Sequence, residues 1–263
     1  MLRSLIFVPA KETMLNKISS MHADGIIIDL EDSIEDNDKA NALGRVDTFL
    51  KNNTVLNTIV IRLNRDSFER EAKVLSAYPE IGFMLPKVES IYQYNSCVSL
   101  WDKHPVLALI ESPLGLLNLN EIAMCNWVDA LAFGAEDYTA TVNMKNTSKY
   151  LYYQKSQIVT YAKAYGKKAF DTPSFSLYSE ETFREDVDDS VSLGFDGKLL
   201  IHPKHIDYIN RAFSVADISY LQDIVKRYES SGQAVTVING IVYEKMHIQR
   251  FKRIIKENGG EII

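Results

Sequence analysis

The chain alternates short apolar runs with longer amphipathic stretches. Eight runs close on polar or turn residues: RSLIFVP (3–9), GIIIDLED (25–32), TIVIRLN (58–64), GFMLPKVES (82–90), VLALIES (106–112), ALAFGAED (130–137), KKAFDTP (167–173) and GKLLIHP (197–203). Near-continuous apolar runs of this length suit strands buried on both faces, as in a parallel sheet, rather than the alternation of a half-exposed antiparallel sheet. Between them, stretches such as KETMLNKISSMHA (11–23), NDKANALGRVDTFLKNN (37–53) and TSKYLYYQKSQIVTYAKAYG (147–166) have helical character.

Eight strand–helix units that start roughly 22 to 37 residues apart predict an α/β fold, a (β/α)8 TIM barrel. A doubly wound sheet would bring fewer strands and a Gly-rich first turn, and neither a G-x-G-x-x-G nor a Walker A sequence is present. The barrel core is expected over 1–206. Residues 207–263 add a helical stretch, a strand-like piece AVTVINGIVYE (234–244) and a basic helix KMHIQRFKRIIKE (245–257). This C-terminal extension is too short to carry a core of its own, so it is expected to pack on the barrel or on a neighbouring subunit, in a single domain overall.

Composition narrows the function classes. With 46% hydrophobic and 24% charged residues over 263 positions, the chain is a globular protein able to bury a large core. A net charge of −6 without a dense Lys/Arg block argues against nucleic acid as a partner. No segment has the length of a signal-peptide core or a membrane span, so no membrane partner and a cytoplasmic location are expected. Cys97 and Cys125 fall in no C-x-x-C or Cys/His cluster and read as reduced thiols.

Active sites of such barrels lie at the C-terminal ends of the strands. The polar residues there are Asp29, Glu31 and Asp32; Arg62 and Asn64; Lys87 and Glu89; Glu111; Glu136 and Asp137; Asp171; and His202. Acids converging on one mouth raise each other's pKa or recruit a cation. Carboxylates without His or Cys favour a hard ion such as Mg2+, with water and substrate completing its shell. Glu111 and Asp137, on adjacent runs, are the natural pair. Arg62 closes an apolar strand and offers a bidentate fork to a 2-oxo or 2-hydroxy acid; its alternative is an ion pair with the acids after the second run. Asp29 and Glu31 share one strand face and Asp32 the other, and the three are assigned to positioning Arg62 and ordering metal-bound water. By the same period of two, only one of Glu136 and Asp137 faces the mouth, leaving Glu136 in support. His202 reads as a loop-ordering residue, and no G-x-S-x-G elbow supports a serine nucleophile.

Taken in order, RSLIFVPA, IIIDLEDSI, VIRLN, LPKVES, ALIESPLGLLN, FGAEDY and GFDGKLLIHPKHI resemble the citrate lyase β-subunit-like family within the HpcH/HpaI aldolases, across residues 3 to 206. The resemblance implies a Mg2+-dependent barrel that makes or breaks a carbon–carbon bond between an acyl-CoA thioester and a 2-oxo acid, with citryl-CoA cleavage to acetyl-CoA and oxaloacetate as the prototype. It places the metal ligands on Glu111 and Asp137 and the substrate-carboxylate arginine on Arg62. Backbone N–H groups around Gly134 and Ala135 are expected to approach the substrate carboxylate. Late in the chain, GIVYEKMH aligns Glu244 with an Asp that, in relatives, reaches a neighbouring subunit's site. The resemblance therefore also implies a homo-oligomer, a trimer or hexamer. Malyl-CoA or methylmalyl-CoA lyase, a CoA-free 2-oxo acid aldolase and a non-catalytic carboxylate-binding barrel are the alternatives. The CoA-free aldolases place a His after the second strand, where this chain has Asp32 and Ser33.

Overall fold

The computed structural model describes residues 2–54, 57–174, 179–214, 218–257 and 259–261. Its eight strands are β1 (Ser4–Pro9), β2 (Gly25–Asp29), β3 (Thr58–Arg62), β4 (Gly82–Leu85), β5 (Val106–Ile110), β6 (Ala130–Phe133), β7 (Lys168–Asp171) and β8 (Gly197–Leu200). They close into a barrel in sequence order, every neighbouring pair parallel, with β1 meeting β8 through Leu5↔Leu199. The predicted (β/α)8 fold is thus the observed one.

Strand parity explains the continuous apolar runs. Leu5, Ile27, Val60, Met84, Leu107, Leu109, Ala132, Phe170 and Leu199 fill the barrel interior. The alternate residues, among them Ile6, Ile28, Ile61, Ala108 and Leu131, pack outward on the helical layer. Both faces exclude water, so neither position tolerates an unpaired polar side chain.

The same parity fixes what reaches the mouth. Continuing the inward set by two residues gives Asp29 after Ile27, Arg62 after Val60, Glu111 after Leu109 and Gly134 after Ala132. Asp171 follows inward Phe170 and therefore points outward, away from the mouth where the run pattern puts it. There it accepts hydrogen bonds from Lys198 Nζ of β8 (2.7 Å) and Lys155 Nζ of helix Ser148–Ala164 (2.9 Å). Asp186 of helix Glu180–Leu193 completes the cluster, 3.2 Å from Lys155 and 3.0 Å from Lys198. Two cations and two anions neutralise one another behind β7 and β8, which is what allows them to be buried.

The chain divides into two compact units, residues 1–213 and 214–263. The first extends past residue 206 because helix Ile206–Ala212 is tied to β1: Asn210 accepts from Ser4 Oγ through its side chain and from Arg3 through its carbonyl. The second unit holds helix Ile218–Ser231, a hairpin of β9 (Val235–Ile238) and β10 (Ile241–Glu244), and helix Lys245–Glu257. Asn239 and Gly240, both with positive φ (54° and 79°), make the two-residue turn that such a hairpin requires. Contrary to the expectation of a coreless appendage, Leu221, Ile224, Val225, Ile238, Tyr243, Ile248 and Ile255 bury one another in an apolar cluster of this unit. Among the described residues, no helix is long and apolar enough to cross a membrane.

Candidate active site

A cavity of about 520 Å³ opens at the C-terminal end of the barrel, lined by Asp29, Arg62, Glu111, Gly134, Asp137 and Thr172 among others. Asp29 and Arg62 are register partners at the last residues of β2 and β3. The guanidinium grips Asp29 with two bonds, Nε to Oδ1 at 2.6 Å and Nη2 to Oδ2 at 2.7 Å. Its third edge reaches Asp32 Oδ2 at 2.9 Å, and Glu31 Oε2 lies 3.5 Å from Nη1. Phe7 covers the guanidinium at 5.0 Å from the ring centre. Three of the five N–H donors are thereby occupied, leaving one on each terminal nitrogen for an anionic ligand.

β2 ends at Asp29, so the strand period does not carry on to Glu31 and Asp32. The chain instead turns around Asp29, whose carboxylate also accepts the backbone N–H groups of Glu31 (2.9 Å) and Ser33 (3.0 Å). That turn brings Asp29, Glu31 and Asp32 onto the same guanidinium, rather than splitting them between two faces. Burial works against the Asp29 anion, but Arg62 and the turn N–H groups prevail and hold its pKa below the usual carboxylate range. Glu31 lacks that support: Oε2 is buried without a hydrogen-bond partner, and desolvation lifts its pKa to about 7.

Glu111 follows β5 and is buried, at 4% exposure. Its Oε1 accepts the N–H of Lys87 at 2.8 Å. Desolvation dominates its electrostatics and pushes its pKa up to about 8, the Lys87 N–H opposing and the Asp137 charge adding to the rise. Gly134 makes the room: a Cβ there would stand 2.5 Å from Glu111 Cβ and 2.6 Å from Oε2. Gly134→Ala, at a φ of −100° that any residue adopts, should therefore push the ends of β5 and β6 apart locally and displace the Glu111 carboxylate. We expect Mn2+ affinity, read by titration calorimetry, to fall roughly ten- to a hundred-fold, the usual cost of disturbing a ligand's support.

Glu136 and Asp137 are not strand residues. β6 stops at Phe133, Gly134 is the N-cap, and both acids sit in the first turn of helix Ala135–Val142, where carboxylates meet the positive end of the helix dipole. A helical turn does not send neighbours to opposite faces, and both side chains line the cavity. Glu136 Oε2 is taken by the Asn146 side chain at 2.6 Å. Asp137 is half-exposed and has Lys87 Nζ 3.8 Å away. The N–H groups of Gly134 and Ala135 are already donated, to the Ile110 carbonyl (2.9 Å) and Thr172 Oγ1 (3.2 Å), so they do not point to a ligand as the sequence suggests.

Elsewhere, Asn64 and His202 order local turns, Asn64 through the Asp66 N–H and His202 through the Lys204 N–H. Glu244 ends β10 in the second unit, exposed, with its own N–H donated to His247 Nδ1 at 3.0 Å. Cys97 and Cys125 are free thiols. Among the described residues there is no group of three or more His, Cys, Asp or Glu side chains poised for a metal. A cation at this mouth would accordingly meet two protein carboxylates and draw the rest of its shell from water and ligand, the mode natural to Mg2+. Oxygen-only donors, one of them an acid whose ionised form needs a compensating charge, fit such an ion.

Barrel and mouth together define a (β/α)8 protein in which a carboxylate after one strand and a carboxylate in the first turn of the helix after the next share a cavity with a strand-held guanidinium. The sequence model of the HpcH/HpaI aldolase/citrate lyase family matches residues 3–203, and the chain belongs to that family. It is 30% identical to the citrate lyase subunit beta of Leuconostoc mesenteroides subsp. cremoris, over 97% of this chain and 92% of that one. A (3S)-malyl-CoA thioesterase of Cereibacter sphaeroides is 28% identical over 94% of this chain and 90% of its own. Among solved structures, the citrate lyase beta subunit of M. tuberculosis complexed with oxaloacetate and magnesium superposes with a TM-score of 0.71 at 25% identity, covering 81% of this chain and 96% of that one.

Proposed function

We infer that this chain is a Mg2+-dependent carbon–carbon lyase that cleaves a 3-hydroxyacyl-CoA of the citryl-CoA type into an acetyl-CoA-type thioester and a 2-oxo acid such as oxaloacetate. The observation that carries the reading is the buried Glu111, seated against Gly134 and facing Asp137 in the same cavity as the Arg62 fork. The citrate lyase relatives, one of them bound to oxaloacetate and magnesium, support it.

Glu111 and Asp137 would hold the ion, which supplies a Lewis acid for the oxygens of the hydroxy or oxo acid. Arg62, fixed by Asp29 and Asp32, presents its two remaining N–H groups to the substrate carboxylate. In cleavage, the 3-hydroxyl gives its proton to water in the open mouth, the C2–C3 bond breaks with its electron pair passing to the thioester α-carbon, and C3 becomes the oxo carbon. A rigid, pre-aimed guanidinium needs no reorganisation as charge moves. The α-carbon then takes a proton, and Glu244 is assigned to deliver it from a neighbouring copy of the chain in a homotrimer or hexamer. What supports that assignment is the exposure of Glu244 beside the exposed Val235, Val237 and Val242 on the hairpin.

A second reading, thioester hydrolysis, is favoured by the likeness to a (3S)-malyl-CoA thioesterase over most of the chain. Incubation with Mg2+ and citryl-CoA, malyl-CoA or methylmalyl-CoA, followed by mass spectrometry, separates the two. The lyase yields a shortened acyl-CoA with a 2-oxo acid. Free CoA with an intact hydroxy acid would establish hydrolysis instead, and no turnover beside clear oxaloacetate binding would leave a binding barrel.

A further inference from the structure

Lys87 touches both acids proposed as metal ligands, by two different parts of the residue. It follows β4 and Pro86 and is one of only three non-glycine residues with positive φ among those described (46°). That left-handed turn is disfavoured for a side chain carrying a Cβ and is natural to Gly or Asn. Here the turn aims the Lys87 N–H at Glu111 Oε1, 2.8 Å away. The same residue sends its ammonium to Asp137 Oδ2, 3.8 Å away and half-exposed. A glycine would make the turn and the N–H bond without strain, so those two features alone do not account for a lysine. The ammonium is the part that a glycine could not supply.

We propose that Lys87 is a positioning residue whose ammonium and the divalent cation compete for Asp137: the side chain holds the carboxylate in place while the cation is absent and yields when it binds. This rests on the metal reading given above. Two neighbouring acids at one mouth repel, and Asn146 engages Glu136 while, among the described residues, the Lys87 ammonium is the cation that pairs with Asp137. A cation entering between Glu111 and Asp137 would meet an ammonium that stands 3.8 Å from Asp137 Oδ2, and the two positive charges repel. The Lys87 main chain stays, its N–H still holding Glu111. One residue would thus fix one ligand permanently and the other conditionally.

The competition has a signature opposite to that of a residue that merely supports the site. Lys87→Met, which keeps the stem and removes the charge, should bind Mn2+ at least about three-fold more tightly than the unaltered protein, as measured by calorimetry or by the free-ion Mn2+ signal in electron paramagnetic resonance. Lys87→Gly, which relaxes the turn and keeps the N–H, should tighten binding likewise, and Lys87→Arg should restore the original affinity. Raising the salt concentration should shrink the difference. Weaker or unchanged binding in both neutral variants, with the unaltered protein binding Mn2+, would overturn this inference and leave the metal reading standing. Failure of the unaltered protein to bind Mn2+ at all would overturn both.

Discussion

Glu111→Gln and Asp137→Ala should each weaken Mg2+-dependent binding of oxaloacetate by at least about a hundred-fold, since each removes a ligand rather than a ligand's support. Glu136→Ala should retain most of the binding, because that carboxylate is already held by Asn146. Equal losses in Asp137→Ala and Glu136→Ala would show that the two acids of the first helical turn share the role. Glu111 also leaves a trace in the metal-free protein. A glutamate titrates near 4.5 in the unfolded chain and at about 8 in this site, so between those values the folded state holds the extra proton. Its contribution to stability is therefore full below about pH 4.5 and is lost as the pH rises through about 8. His205 works the other way: burial lowers its pKa to about 4, so its contribution grows with pH and is complete above about 6.5. Between pH 6.5 and 8.5 without divalent ions, the melting temperature should fall further in the unaltered protein than in Glu111→Gln, and saturating Mg2+ should remove the difference.

Arg62→Met should destabilise the barrel by about 3–5 kcal/mol, the cost of leaving a buried carboxylate without its partner. Asp29 is 2% exposed and would lose both bonds of the fork. For a chain of this size that corresponds to a fall of roughly 10 °C in melting temperature. Arg62→Lys separates structure from recognition. The ammonium can still neutralise Asp29, so the loss of stability should be smaller, but it cannot grip Asp29 and Asp32 while presenting two parallel N–H groups to a substrate. Oxaloacetate binding should fall about ten- to a hundred-fold, the worth of a charge-assisted hydrogen bond. A lysine variant that binds normally would mean that Arg62 serves the strand-two acids alone.

The barrel was legible because parallel strands covered on both faces write themselves as unbroken apolar runs, and eight such runs are present. Arg62 and Glu111 were legible as charges that close buried apolar runs, although the ion pair of Arg62 with Asp29 is also structural. The ends of the runs were not. ALAFGAED reads as one strand, yet Gly134 caps a helix, and acids in a first helical turn are a known start signal that the apolar run obscured. Asp171 ends a run but does not reach the mouth, because Phe170 faces inward and its neighbour therefore faces the helices. The role of Lys87 could not be read at all, since nothing in LPKVES announces a left-handed lysine. In the second unit AVTVINGIVYE reads as one strand-like piece, yet Asn239 and Gly240 fold it into a hairpin, and Tyr243 and Ile238 supply the core that length alone argued against.

The central claim is that Glu111 and Asp137 hold the ion while Arg62 receives the ligand carboxylate. A crystal structure with Mn2+ and oxaloacetate, read from the anomalous signal of the metal, tests it most directly. A single Mn2+ peak is expected, bonded to Glu111 and Asp137, with the ligand carboxylate on the free edge of Arg62 and the Lys87 ammonium withdrawn from Asp137. A peak on Asp29, Glu31 and Asp32 instead, with Arg62 displaced from them, would contradict it.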